Sequence, residues 1–208
     1  MKKLLLLPLI TLAFSCGAPS EKTSEVAELP ILGERYVDDN QDTVYHSIAD
    51  FAFVNQLGDT IRKEDMAGKI YVADFFFTSC PTICPIMKKE MLRVYEQFKE
   101  NPNFKILSHS IDPSYDTQLV LKEYAERLGV PDAATWNFLT GDQEKIFEIG
   151  QTSYLTTTMA DDLEPGGFLH SGAFLLVDQQ GRIRGVYDGT KTEQVDRLLL
   201  DIPKLLQP

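Results

Sequence analysis

The sequence predicts an α/β fold: a central mixed sheet flanked by helices, with an added N-terminal β-hairpin. Three observations predict it. Tyr71–Phe77 is a nearly continuous apolar and aromatic run, the mark of a strand buried on both faces. Met87, Met91, Val94, Tyr95 and Phe98 then recur at helical spacing and form one apolar stripe. Further on, Ala173–Val177 and Arg182–Tyr187 flank the turn Asp178-Gln179-Gln180-Gly181, which predicts an antiparallel hairpin. A length of 208 residues suits one domain, and 43% hydrophobic with 25% charged residues argues against a disordered chain. The net charge of −11 rules against a grip on nucleic acid and against charge-driven adhesion to anionic lipid. Three cysteines are too few for a disulfide scaffold, so each needs its own explanation.

The chain divides into a leader over 1–15, a lipid-anchored flexible tether over 16–30 and one domain over 31–208. Lys2 and Lys3 precede an apolar stretch, Leu4–Phe14, too short to cross a bilayer, and Ser15 is a small residue before Cys16. Leu12-Ala13-Phe14-Ser15-Cys16-Gly17 resembles a bacterial lipoprotein signal, which implies cleavage and lipidation at Cys16. Ala13 stands where leucine is usual and Phe14 is bulky. The alternative is an ordinary secretory leader with an incidental cysteine. Gly17–Pro30 carries Glu21, Glu25 and Glu28 and no apolar period. As a flexible tether it would average roughly 20 Å end to end. These features place the domain in the cell envelope, held at a membrane on its extracytoplasmic (periplasmic) side.

Within the domain, Thr43–Ser47 and Phe51–Asn55 read as short strands, with a turn at Leu57-Gly58-Asp59. Phe104–Ile111 is the strand expected after the Met87 helix. Asp116 or Thr117 can cap a second helix with the stripe Val120, Leu121, Tyr124, Ala125 and Leu128, ended by Gly129 and Pro131. A shorter helix is expected over Asp142–Ile149, followed by a long polar loop, Gln151–Leu169, of a length that often carries function. Thr190-Lys191-Thr192-Glu193 matches a capping box and opens the last helix, which Pro203 should kink or end. Strand, helix, strand, helix, hairpin, helix is the order of a thioredoxin-like fold. This is an analogy of element order until a site supports it.

Cys80-Pro81-Thr82-Ile83-Cys84-Pro85 lies where the buried strand turns into a helix. The partial positive charge and free N–H groups of a helix start favour a thiolate at Cys84 and at Cys80. At this spacing the two sulfurs can form a disulfide or share a metal. Two thiolates suit Cu(I), and one added imidazole gives an S₂N site that also tolerates Cu(II). A closed zinc site would want a fourth ligand. His170, in Gly166-Gly167-Phe168-Leu169-His170-Ser171, precedes the Ala173 strand. In a thioredoxin-like fold that loop faces the cysteine motif, which makes His170 the candidate imidazole. His109 reads as a strand residue, His46 as part of the N-terminal hairpin and Met87 as core.

Phe75-Phe76-Phe77-Thr78-Ser79-Cys80-Pro81-Thr82-Ile83-Cys84-Pro85, Ser110-Ile111-Asp112-Pro113-Ser114-Tyr115-Asp116-Thr117, His170-Ser171 and Tyr187-Asp188-Gly189-Thr190 stand in order along the chain. Together they resemble the Sco/SenC family. The resemblance implies a membrane-tethered, thioredoxin-like copper protein that helps assemble the binuclear copper centre of cytochrome c oxidase. It implies Cys80, Cys84 and His170 as copper ligands and maps the family's aspartates to Asp112 and Asp116. Asp112 is expected to orient the ligands from behind, while Asp116 is equally well explained as a helix cap. Asp74 resembles the buried carboxylate of thioredoxins, and its place in an apolar strand leads to the expectation of a raised pKa.

Two functions compete. A copper metallochaperone would bind one ion through Cys80, Cys84 and His170 and pass it to cytochrome c oxidase subunit II or another copper-accepting protein. A thiol–disulfide oxidoreductase would use Cys80 and Cys84 as a redox pair to keep a partner's cysteines reduced, with no use for His170 as a ligand. A peroxidase-like reductase is a weaker third, since Arg93 is a helical turn or more beyond the cysteines. A tethered carrier has no need to be more than a monomer.

Overall fold

The strand Ile70–Phe76 is buried at every residue, and the rest of the domain is laid around it. The computed structural model describes residues 28–206, apart from 131 and 162. The leader, Cys16, most of the tether and Pro131 lie outside the described residues. In chain order the elements are β1 Arg35–Val37, β2 Thr43–Tyr45, β3 Ala52–Val54, β4 Thr60–Arg62, β5 Ile70–Phe76, α1 Cys84–Phe98, β6 Phe104–Ser110, α2 Gln118–Arg127, β7 Trp136–Leu139, α3 Gln143–Glu148, β8 Thr158–Ala160, β9 Phe168–His170, β10 Ala173–Val177, β11 Ile183–Asp188 and α4 Thr192–Leu206.

The central sheet is mixed, as expected, with strand order β11-β10-β5-β6-β7. β5, β6 and β7 are parallel, and β10 and β11 are antiparallel to their neighbours. Side chains alternate across this sheet and give it two different faces. Asp74, Phe76, Ser108 and Phe138 look toward α1 and α2, where Tyr124 stacks on Phe76 with ring centroids 5.6 Å apart. Phe75 and His109 look the other way, onto Phe51, Phe53 and Tyr154. Of the two candidate caps for α2 it is Thr117 that serves, its hydroxyl accepting from the Val120 N–H at 3.4 Å. Asp142 caps α3 in the same way through the Lys145 N–H at 3.0 Å.

The expected N-terminal hairpin is present, and several finer expectations need correction. The N-terminal region holds two small hairpins, β1–β2 and β3–β4. The strands β1 and β4 leave no mark in the sequence, because each is three residues with little burial and neither carries an apolar alternation. β7 is likewise unmarked in the sequence, being a four-residue run buried throughout, without alternation. Gln151–Leu169 is not a plain loop. It begins in a π turn, Ile149–Ser153, and contains the hairpin β8–β9, whose far end pairs Thr158 with His170. Gly166 and Gly167 take φ of 94° and 84°, the left-handed region that lets the chain reverse there. Pro203 does not end α4, which continues to Leu206 because Val195, Leu198, Ile202 and Leu205 keep its inner face buried. Thr190 gives its N–H and its hydroxyl to Asp188 Oδ1, at 3.0 and 2.6 Å, so it is the turn before α4 that it closes.

The N-terminal end of the described chain is docked. The Leu32 N–H donates to the Ile183 carbonyl at 2.8 Å. Arg184 donates to the carbonyls of Leu29 and Pro30, while its third nitrogen bonds Asp178 Oδ2 at 3.0 Å. Residues 28–30, the last of the segment read as a tether, therefore lie against the start of β11. That start pairs with Val177, which pairs with Tyr71 near the beginning of β5.

Candidate metal centre

β5 ends at Phe76 and α1 begins at Cys84, so the connecting turn places both cysteines at one pole of the sheet. The turn is pinned by a bond from the Cys80 N–H to the Phe77 carbonyl at 3.3 Å. Pro85 falls in the first turn of α1, where a missing N–H costs nothing. β10 starts from the same pole, and the short hairpin β8–β9 just before it delivers His170. His170 Nε2 lies 3.5 Å from Cys84 Sγ and 3.9 Å from Cys80 Sγ. All three donor atoms fall within 4.8 Å of one another, and the three residues are buried. An ion held at roughly 2.0–2.3 Å from each donor would need donors about 3.5–4 Å apart. The two nitrogen–sulfur distances fit, and two soft sulfurs with one imidazole suit copper.

The imidazole is oriented for this role. Its Nδ1 lies 3.3 Å from the Ser171 carbonyl; donating there leaves the lone pair of Nε2 facing the sulfurs. Phe77 meets the ring edge-on, with centroids 5.7 Å apart, and Phe77 in turn packs on Phe168 of β9. Burial holds the His170 pKa below the ordinary histidine value, against an opposing bond to the Ser171 backbone, so the ring is neutral and able to bind a metal.

The two thiols differ. Burial opposes ionisation of Cys80, but hydrogen bonds from the backbone and side chains of Thr82 and Cys84 outweigh it and lower its pKa. At Cys84 burial wins over the Phe77 backbone and the charge of Lys88, and pushes the thiol well above its usual value. The expectation of a favoured thiolate at both sulfurs thus holds for Cys80 alone. The helix start that should help Cys84 is itself buried, and desolvation is the larger effect.

Asp74 is fully buried and carries a partner that its sequence position did not reveal. Lys88 Nζ lies 2.7 Å from Asp74 Oδ2 and 3.3 Å from Ser108 Oγ. Ser108 donates to the other Asp74 oxygen and accepts from Trp136 Nε1 at 2.9 Å. Asp112 accepts from the Ser114 hydroxyl at 2.7 Å and the Tyr115 N–H at 3.4 Å, and has no hydrogen bond to the cysteine loop among the described residues. The carboxylate that reaches that loop is Asp116. It accepts from the Thr78 N–H at 3.0 Å, from the Thr78 hydroxyl and from Ser110 Oγ at 2.5 Å. Burial raises its pKa, against the Ser110 and Thr78 hydrogen bonds.

The other candidates fall elsewhere. Met87 is fully buried core. His46 follows β2 and places Nε2 2.7 Å from the Ser153 carbonyl. His109 is enclosed by Phe51, Phe53, Phe75 and Tyr154, and neither of its ring nitrogens has a hydrogen-bond partner among the described residues. No helix among the described residues is long and apolar enough to cross a membrane.

Comparison with known proteins agrees with this geometry. The SCO1/SenC family model matches residues 39–207. The SCO1 protein homolog of Bacillus subtilis (strain 168) is 31% identical over 164 residues, 78% of this chain and 84% of that protein. Among solved structures, a SCO1/SenC family lipoprotein from Bacillus anthracis str. Ames superposes with a TM-score of 0.71 at 29% identity, over 78% of this chain and 96% of that one. BsSco, described as a member of the Sco family of cytochrome c oxidase assembly proteins with a disulfide switch, gives 0.68 at 31% identity, over 77% and 93%.

Proposed function

Because the chain belongs to the SCO1/SenC family, with the family model spanning residues 39–207, we propose that it is a membrane-tethered copper metallochaperone. It binds one copper ion as cargo through the thiolates of Cys80 and Cys84 and the imidazole of His170. It serves the assembly of the binuclear copper centre of cytochrome c oxidase, with subunit II or another copper-accepting protein as recipient. It works as a monomer on the extracytoplasmic side, anchored through Cys16. The observation that carries the reading is the position of His170 Nε2, 3.5 and 3.9 Å from the two sulfurs. A plain dithiol protein has no need of a third donor there.

Transfer follows from the donor set. Cys80, His170 and Cys84 can be exchanged one at a time for an acceptor's ligands, so the ion is never free in solution. Reduced cysteines are required, since a disulfide has no thiolate to give. Equilibrium dialysis against Cu(I) and Cu(II) tests the reading: His170→Ala should lose Cu(II) affinity, and unchanged Cu(II) affinity would contradict it.

The second reading, a thiol–disulfide oxidoreductase acting on a partner's cysteines, is favoured by the unequal thiols. Cys80, with its lowered pKa, suits the attacking sulfur and Cys84 the resolving one. The two roles separate in vivo. A His170→Ala protein that still supports oxidase assembly would favour the thiol role.

A further inference from the structure

Lys88 and Asp74 form an ion pair that the sulfur–imidazole site does not itself require. Their side chains are 3% and 0% exposed, and the ammonium lies 4.0 Å from the centroid of Phe76, with Trp136 and Phe138 at 5.6 and 5.8 Å. Ser108 bridges the pair and is held by Trp136, so the group is a built network. Burying two charges costs several kcal/mol per ion before their attraction is counted, and an apolar pair would fill the same space. The position of the pair is therefore informative. Lys88 is one helical turn past Cys84 on the same buried face of α1. Helical side chains lean toward the N-terminus, which here is the cysteine end. The Lys88 charge acts on both Cys84 and His170, and that of Asp74 on His170.

We propose that Lys88 is a positioning residue that sets the oxidation-state preference of the copper site, with Asp74 as its opposing charge. This rests on the copper reading above. Two thiolates and a neutral imidazole carry a net charge of −1 when they hold Cu(I) and none when they hold Cu(II). A fixed ammonium whose charge reaches Cys84 and His170 stabilises the first state over the second, and a carboxylate does the reverse. No bond is made or broken by the device. Each ion is supplied in its own oxidation state, so no electron is transferred.

The test measures Cu(I) and Cu(II) affinities separately, by competition with chelators selective for each ion, in the native protein, Lys88→Gln, Lys88→Arg and Asp74→Asn. Lys88→Gln should weaken Cu(I) relative to Cu(II) by about tenfold. Lys88→Arg should keep the native ratio. Asp74→Asn should shift the ratio the opposite way, toward Cu(I), which general damage to the core would not do. Equal losses for both ions in Lys88→Gln, or shifts of the same sign in Lys88→Gln and Asp74→Asn, would overturn the proposal. If Lys88→Gln fails to fold, the sign in Asp74→Asn decides alone. A native protein that binds neither ion would instead sink the copper reading, and this proposal with it.

Discussion

Asp116 holds Thr78 at two points, through the backbone N–H at 3.0 Å and through the hydroxyl, and it also accepts from Ser110 at the end of β6. Thr78 is two residues ahead of Cys80, so this carboxylate ties the cysteine loop to the neighbouring strand.

Asp116→Ala should therefore be costly. It leaves three donors without an acceptor, those of half-buried Thr78 and fully buried Ser110, a loss of about 2–4 kcal/mol. Urea unfolding should show the drop, and copper affinity should fall with it as the loop loosens. Asp112→Ala, which frees only Ser114 and Tyr115, should stay within about 1 kcal/mol of the native protein.

The thiols should react unequally. With Cys80 lowered and Cys84 raised, iodoacetamide near pH 7.5 should label Cys80 faster, by about tenfold or more, as mass spectrometry of partly labelled protein would read. Equal rates would contradict the assignment of Cys80 as the attacking sulfur.

His109 predicts an acid limb of stability. Burial depresses its pKa from 6.5 to about 3, so the folded state stays neutral while the unfolded chain takes up a proton. Its contribution is complete above pH 6.5 and is lost as pH falls toward about 3. The slope is up to about 1.4 kcal/mol per pH unit. His109→Leu should remove that part of the slope, leaving the part due to carboxylates. Parallel pH profiles of the two proteins, measured by urea unfolding, would refute it.

Gly166 tests the hairpin that carries His170. A Cβ there would lie 2.7 Å from Phe77 at a φ of 94°, so Gly166→Ala adds both a contact and backbone strain. Gly167→Ala, at φ 84° with nothing within 4 Å, adds strain alone. Both should lose about 1–2 kcal/mol. Only Gly166→Ala should also weaken copper binding, because Phe77 packs on His170.

Much of this was legible in the sequence where one element declares itself. The run through β5, the stripe of α1 and the hairpin β10–β11 are long enough to show their period. The grouping of Cys80, Cys84 and His170 was legible through motif and fold order. What was not legible depended on partners distant in the chain. Nothing in the stripe of α1 marks Lys88 as an inward-facing residue, and only the fold brings it to Asp74. Asp112 and Asp116 sit in one short segment, and which of them turns to Thr78 is settled by the path of the loop. The β8–β9 hairpin is three residues a side with a glycine-rich turn, too short for a pattern.

The clasp of Arg184 on Leu29 and Pro30 has an orientational consequence. β10 carries the chain from the sulfur-bearing end of the sheet to the opposite end, where β11 begins, roughly 15 Å away at 3.3 Å per residue. Residues 28–30 thus lie on the side of the domain away from the sulfurs. Anything attached through residues 28–30 would therefore leave the sulfur-bearing pole unobstructed.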